Sequence, residues 1–373
     1  MPDRTLKVLS IFGTRPEAVK MAPVVLRLRR TAGVASRVCV TAQHREMLDQ
    51  VLSLFEITPD LDLDLMEPDQ SLATLTAAVF QRLDRVLSDE QPHWVVVQGD
   101  TTTVMAASLV AYYHRCRVAH VEAGLRTGDK WQPFPEEMNR RVAGAVADLH
   151  LAPTSWARDN LLREGVPVER IVVTGNPVID ALQMIAERPY DWSSGPLANL
   201  PRGRRLVLLT AHRRENFGEP LEAIFEAVRR LARDYGDGVH WVYPVHLNPH
   251  VQEPARRVLG GMENVSLLPP LDYLPMVHLL GACTLVLTDS GGLQEEAPAL
   301  GKPVLVLRRV TERPEAVEAG TARLVGTDRQ AIIDETHRLL DDPQAYAAMA
   351  HAVNPFGDGH AAERIVEALL AAS

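Results

Sequence analysis

Short, almost wholly apolar runs rich in β-branched residues recur along this sequence, and they constrain the fold more than any other feature. They are "LKVLSIF", "SRVCVT", "HWVVVQ", "RVAHV", "DLHLA", "RIVVT", "RLVLLT", "HWVYPV", "NVSLL", "TLVLT" and "PVLVL". Stretches with helical spacing lie between most of them. Strands this apolar are buried on both faces, and strands that alternate with helices pair in parallel. The class is therefore α/β. A chain of 373 residues, 46% hydrophobic, is long enough for two cores. The stretch "RPYDWSSGPLANLPRGR" at 188–204 is dense in Pro, Gly and Ser and lacks an apolar period, which marks the border of two doubly wound domains, 1–187 and 188–358. After the breaker "NPFGDGH", a separate amphipathic helix over about 359–373 is expected to pack back on the first domain.

The formal net charge of −9 argues against a nucleic-acid groove or an anionic membrane surface as partner. An anionic ligand must then be held by local groups. The segment "MPDRTLKVLSIF" has none of the features of a signal peptide, and no apolar run approaches the ~20 residues that span a bilayer. A soluble, cytoplasmic protein is expected. Cys39, Cys116 and Cys283 are far apart and form no C-x-x-C pair, so they read as reduced, buried thiols with no metal between them.

Several strand-to-helix turns have the makings of anion sites. In "FGTRPEAVK", Gly13 supplies a tight turn and Pro16 suits a helix start, so backbone N–H groups and the positive dipole end face an incoming anion. Arg15 and Lys20 could reach the same anion, or be solvated cations on a capped helix. "VVVQGDTTT" repeats the design and leaves Asp100 at a strand end, as a helix cap or as a ligand group where doubly wound sheets bind their ligands. "VAHVEAGLRTG" puts Glu122 after another strand, and "WQPFPEEMNR" puts Glu136 in a first helical turn with Arg140 four residues on, spaced for an ion pair. Were the three acids to face one site, their repulsion would favour a carboxyl able to exchange protons near neutral pH.

The second half follows the same plan. "LLTAHRRENFG" places His212 and Arg213 at a strand's carboxyl end, as expected of a pyrophosphate clamp, and "YPVHLNPH" places His246 similarly. In "TDSGGLQEEAP", Ser290, Gly291 and Gly292 offer backbone N–H groups to a phosphate that glycine lets approach closely. Glu296, one helical turn further on, is placed to accept hydrogen bonds from sugar hydroxyls, whereas Glu295 points elsewhere. Arg313, in "VTERPEA", precedes another Pro-started helix.

Taken in order, "GTRPEAVK", "TAQHREMLDQ", "GDTTT", "HVEAGLRTG", "PFPEEMNR", "TGNPVIDAL", "HRRENFG", "TDSGGLQEEAPALGKPVLVLR" and "TERPEAVEAGTARLVG" closely resemble the non-hydrolysing UDP-N-acetylglucosamine 2-epimerases. The resemblance implies a GT-B-like fold of two Rossmann-type domains with the active site in the cleft between them, a nucleotide-binding second domain, no cofactor, and a homodimer. It implies epimerisation at carbon 2 by elimination and re-addition of UDP; a GT-B glycosyltransferase and a hydrolysing epimerase are the alternatives. It gives residues matching Arg15, Lys20, His212, Ser290, Gly291, Gly292, Glu296 and Arg313 to the nucleotide-sugar site, and those matching Asp100, Glu122, Glu136 and His212 to chemistry. In the base pocket this chain departs from related sequences, with Met276 where an aromatic is common and Leu271 where a polar residue is. Members activated by substrate at a second site carry residues matching Gln43 and His44 and a nearby arginine. Asp69 stands in that arginine's place here, so the regulation is not implied.

Overall fold

The computed structural model describes residues 5–41, 45–65 and 70–373. The chain forms two units: one runs up to Ala181 and takes in Phe356–Ser373, and the other is Leu182–Pro355. The crossing at Ala181 falls inside the helix Pro177–Ala186, and the Pro- and Gly-rich stretch 188–204 belongs to the second unit.

The first unit is built on strands β1 (Leu6–Phe12), β2 (Val34–Val40), β3 (Leu61–Asp62), β4 (Trp94–Gln98), β5 (Arg117–Val121), β6 (Leu149–Ala152) and β7 (Ile171–Val173). They form one parallel sheet in the order β3-β2-β1-β4-β5-β6-β7. The second unit carries β8 (Arg205–Thr210), β9 (Val239–Pro244), β10 (Val265–Leu268), β11 (Cys283–Thr288), β12 (Val304–Val306) and β13 (Ala322–Leu324), parallel in the order β10-β9-β8-β11-β12-β13. Helices alternate with the strands throughout. Two Rossmann-type doubly wound units make the chain GT-B-like.

Central strands are apolar because both faces are covered. Every residue of β4 and of β9 is buried, and Trp94, Trp241, Tyr243 and Phe12 are among the largest side chains withdrawn from water. In each sheet the strand order reverses at one point, between β1 and β4 in the first and between β8 and β11 in the second. Crossover helices leave such a point on opposite faces and open a crevice at the strands' carboxyl ends, where doubly wound sheets take their ligands.

The helix Ala361–Ala371 packs on the helix Arg15–Arg30 of the first unit. Its leading N–H groups, on Ala361 and Ala362, donate to the two oxygens of Asp180 at 3.1 and 2.8 Å. Among the described residues, no helix is long and apolar enough to cross a membrane.

Candidate active site

At the first reversal point, the turn after β1 is drawn tight around Glu17. Thr14 caps the helix Arg15–Arg30 in a reciprocal capping box with Glu17. Glu17 Oε2 accepts from the N–H groups of Gly13 and Thr14 at 3.0 and 2.7 Å, and Oε1 accepts the Thr101 hydroxyl at 2.7 Å, tying this turn to the one after β4. Burial pushes the Glu17 carboxyl above the ordinary carboxylate range, against the pull of those hydrogen bonds. Gly13 is required by space, since a Cβ there would lie 2.0 Å from Thr41 Oγ1. Arg15 and Lys20 are both half-buried.

Lys20 is turned to a carboxylate: its Nζ lies 2.6 Å from Glu122 Oε1. Glu122 also accepts from the Gln98 side-chain amide and from Asn176 Nδ2, the latter at 3.0 Å. Three donors therefore converge on one buried carboxylate from the ends of β4 and β7 and from the first helix. Its backbone sits at φ 62, a left-handed conformation that non-glycine residues seldom adopt. A Cβ built on Gly99 would stand 3.7 Å from Glu122 Oε2, so this carboxylate flanks the turn that carries Asp100.

Thr101, not Asp100, caps the following helix Thr102–Tyr113, its hydroxyl accepting from Val104 N at 3.3 Å. Asp100 is left for other work. Its Oδ2 accepts from Arg140 Nη2 at 2.7 Å, and its carbonyl accepts from Asn139 Nδ2 at 3.0 Å, both from the helix Glu136–Val146. The pairing of Glu136 with Arg140 suggested by their spacing gives way to this contact, because Arg140 reaches Asp100 and lies 3.6 Å from the buried Glu137. Glu136 opens the helix, with its Oε2 buried and without a hydrogen-bond partner. Lys20 and Arg140 thus stand among the acids, which offsets the mutual repulsion expected of a bare acidic cluster.

At the second reversal point Asp289, fully buried after β11, organises the turn after β8. Its Oδ2 accepts from the N–H groups of His212 and Arg213, each at 2.8 Å, and from Asn216 Nδ2 at 3.1 Å. His212 Nδ1 lies 3.4 Å from Asp289 Oδ1, and its ring stacks on His246 with centroids 5.5 Å apart and planes 8° apart. Burial holds the His212 imidazole below its ordinary value; Asp289 pulls it up, while His246 and Arg213 push it down.

Ser290 precedes the helix Gly291–Ala299 and makes no side-chain cap bond with it. The nearest atom to a Cβ built on Gly291 is Arg213 Nη2 at 3.8 Å, so a guanidinium stands beside the helix N-terminus. Glu296 Oε2 lies 3.7 Å from the corresponding position on Gly292, and its Oε1 accepts the Tyr273 hydroxyl at 2.8 Å. Tyr273 opens the helix Tyr273–Ala282, which also carries the half-buried Met276 and follows the buried Leu271. Glu295 is buried, and it pairs with the buried Arg313.

Each unit thus collects most of its expected residues at one reversal point. Gln98, Asn176, Glu137, Asn216, Tyr273 and Asp289 also take part in these networks, and no motif of the sequence singles them out. Asp289 had a visible signal, because it ends a buried strand as Asp100 does. Gln43, His44 and Asp69 lie outside the described residues. Among those described, no group of three His, Cys, Asp or Glu side chains is arranged to hold a metal ion.

A sequence model described as UDP-N-acetylglucosamine 2-epimerase matches residues 26–370. The UDP-N-acetylglucosamine 2-epimerase of Yersinia pestis is 54% identical over 370 residues, covering 98% of each chain. The UDP-GlcNAc 2-epimerase of Neisseria meningitidis, solved bound to UDP-GlcNAc, superposes with a TM-score of 0.90 at 48% identity over 98% of this chain and 100% of that one. The S. aureus MnaA co-structure with UDP gives a TM-score of 0.89 at 48% identity over 98% and 96%. On its sequence and on its fold alike, this chain belongs to the UDP-N-acetylglucosamine 2-epimerase family.

Proposed function

We propose that the protein interconverts UDP-N-acetylglucosamine and UDP-N-acetylmannosamine by eliminating UDP and adding it back, without hydrolysis. The hydrogen on carbon 2 is not beside a carbonyl, so it is too weakly acidic to be removed and returned directly. Coupling its loss to departure of UDP from carbon 1 gives a 2-acetamidoglucal. Re-addition of UDP with protonation on the opposite face inverts carbon 2, and atoms balance with no acceptor consumed.

The observation that carries this reading is the cation-matched acid cluster, with Asp100 held by Arg140 at 2.7 Å and Glu122 by Lys20 at 2.6 Å. Such carboxylates are fixed in position for proton transfer. Asp100 and Glu136 are the candidate bases, and Glu122 is the partner acid. In the second unit, His212, Arg213 and the N–H groups of Ser290, Gly291 and Gly292 stabilise the leaving diphosphate as its charge grows, and in the first unit Arg15 is a candidate substrate-binding cation. Glu296 binds ribose hydroxyls, Leu271 and Met276 border the uracil, and Arg313, paired with Glu295, lines the same nucleotide-sugar site. The active form is a homodimer, which sedimentation of the purified protein would test.

Incubation with UDP-N-acetylglucosamine in deuterated water, followed by proton NMR, tests the chemistry. Deuterium should enter carbon 2 of both UDP-sugars. Full retention of hydrogen would exclude exchange with solvent, and release of free N-acetylmannosamine would turn the assignment to a hydrolysing enzyme.

A further inference from the structure

Asp289 divides its two oxygens between different tasks. Oδ2 is saturated by two backbone N–H groups and the Asn216 amide, which fix the turn at His212. Oδ1 is buried and has no hydrogen-bond partner, yet it points to His212 Nδ1 at 3.4 Å. That separation exceeds a good hydrogen bond, but such contacts tighten when the other ring nitrogen takes its partner. The carboxylate cannot swing away, because its second oxygen is pinned, and Tyr243, donating to Ala211 O at 2.6 Å, anchors the residue before His212.

His246 closes the other face. Its ring lies parallel to that of His212, and its Nδ1 accepts the Asn248 N–H at 3.1 Å, so its own ring hydrogen sits on Nε2. The charged or titratable groups acting on His212 are thus Asp289, His246 and Arg213.

We propose that Asp289 is a positioning residue that keeps the hydrogen of His212 on Nδ1, leaving Nε2 as the nitrogen presented to the diphosphate. The idea rests on the reading that the second unit binds a UDP-sugar. A ring held this way donates from Nε2 only as an imidazolium, so binding the anion draws in a proton. As UDP leaves carbon 1, both ring N–H groups are then engaged, one on Asp289 and one on the growing negative charge.

Asp289→Asn tests this, because the amide oxygen can still accept the His212 and Arg213 N–H groups while its NH2 turns to Nδ1 and forces the opposite tautomer. Nitrogen-15 NMR of the protein alone should show a neutral His212 with hydrogen on Nδ1, moved to Nε2 in the variant. Calorimetry with UDP in buffers of different ionisation enthalpy should show proton uptake by the native protein, lost in the variant together with about 10-fold in affinity. On a His212→Gln background the same substitution should add little, because Asp289 acts through that ring. An unchanged tautomer, or a full additional loss on the His212→Gln background, would overturn the proposal. The tautomer measurement needs no substrate, so it separates failure of the dyad from failure of the epimerase reading. A native protein that does not bind UDP would instead sink the ligand side of both.

Discussion

Glu122 holds a left-handed backbone conformation that costs about 1–3 kcal/mol, and its carboxylate meets Lys20, Gln98 and Asn176. That strain is held where three donors converge, as proposed for the partner acid. Capping does not explain Asp100, since Thr101 performs it; its carboxylate pairs with Arg140, as proposed for the base. Asp100→Asn should therefore lower turnover by about 100-fold while leaving the melting temperature nearly unchanged. A stability loss with normal turnover would make it a structural residue after all. Lys20 shows what a single sequence cannot reveal: its place one turn into an anion-facing helix suits a phosphate, but the neighbouring strand end supplies a carboxylate within 2.6 Å. Gln98 and Asn176 were illegible for a related reason, because their meeting on Glu122 depends on which strands adjoin.

At the scale of elements, β5 and β6 bring His120 and His150 into register, both buried. His120 Nε2 donates to Gly99 O at 2.7 Å, and the Nδ1 atoms of both rings are buried without a partner. A second proton on either ring would have no acceptor. Burial depresses both imidazoles to about 4. The folded form therefore binds fewer protons than the unfolded chain, whose histidines titrate near ~6.5, so stability should fall as pH drops from about 6.5 towards 4. Calorimetric melts at pH 7.5, 6 and 5 check this, and His120→Gln with His150→Gln should flatten the slope. These strands were plain in the sequence because uninterrupted apolar runs have few other uses. The edge strands β3 and β13 were not, being two and three residues long with side chains partly in water. Alternation of strand and helix gave the parallel sheets. The reversal points follow from strand order, which periodicity does not carry.

Across the whole molecule, the chain leaves its first unit at Ala181 and re-enters it at Phe356. The return is fastened by Asn176 N donating to Phe356 O at 2.7 Å, by Asp180 capping the helix Ala361–Ala371, and by Trp94 Nε1 donating to Ser373 Oγ at 2.9 Å. Asp180→Ala removes acceptors for two helix N–H groups and should cost about 1–2 kcal/mol, seen as a fall of ~2–4 °C in melting temperature. No change would mean that the apolar face of that helix suffices to hold it.

The same return path sets an order of assembly. Ribosomes release a chain from its beginning, so the acids at Asp100, Glu122 and Glu136 emerge long before the segment that covers the helix Arg15–Arg30. The unit begun first is the unit finished last. During synthesis its uncovered helix face waits through the making of all of Leu182–Pro355, so any prematurely stopped chain is unfinished in the half that carries Asp100, Glu122 and Glu136.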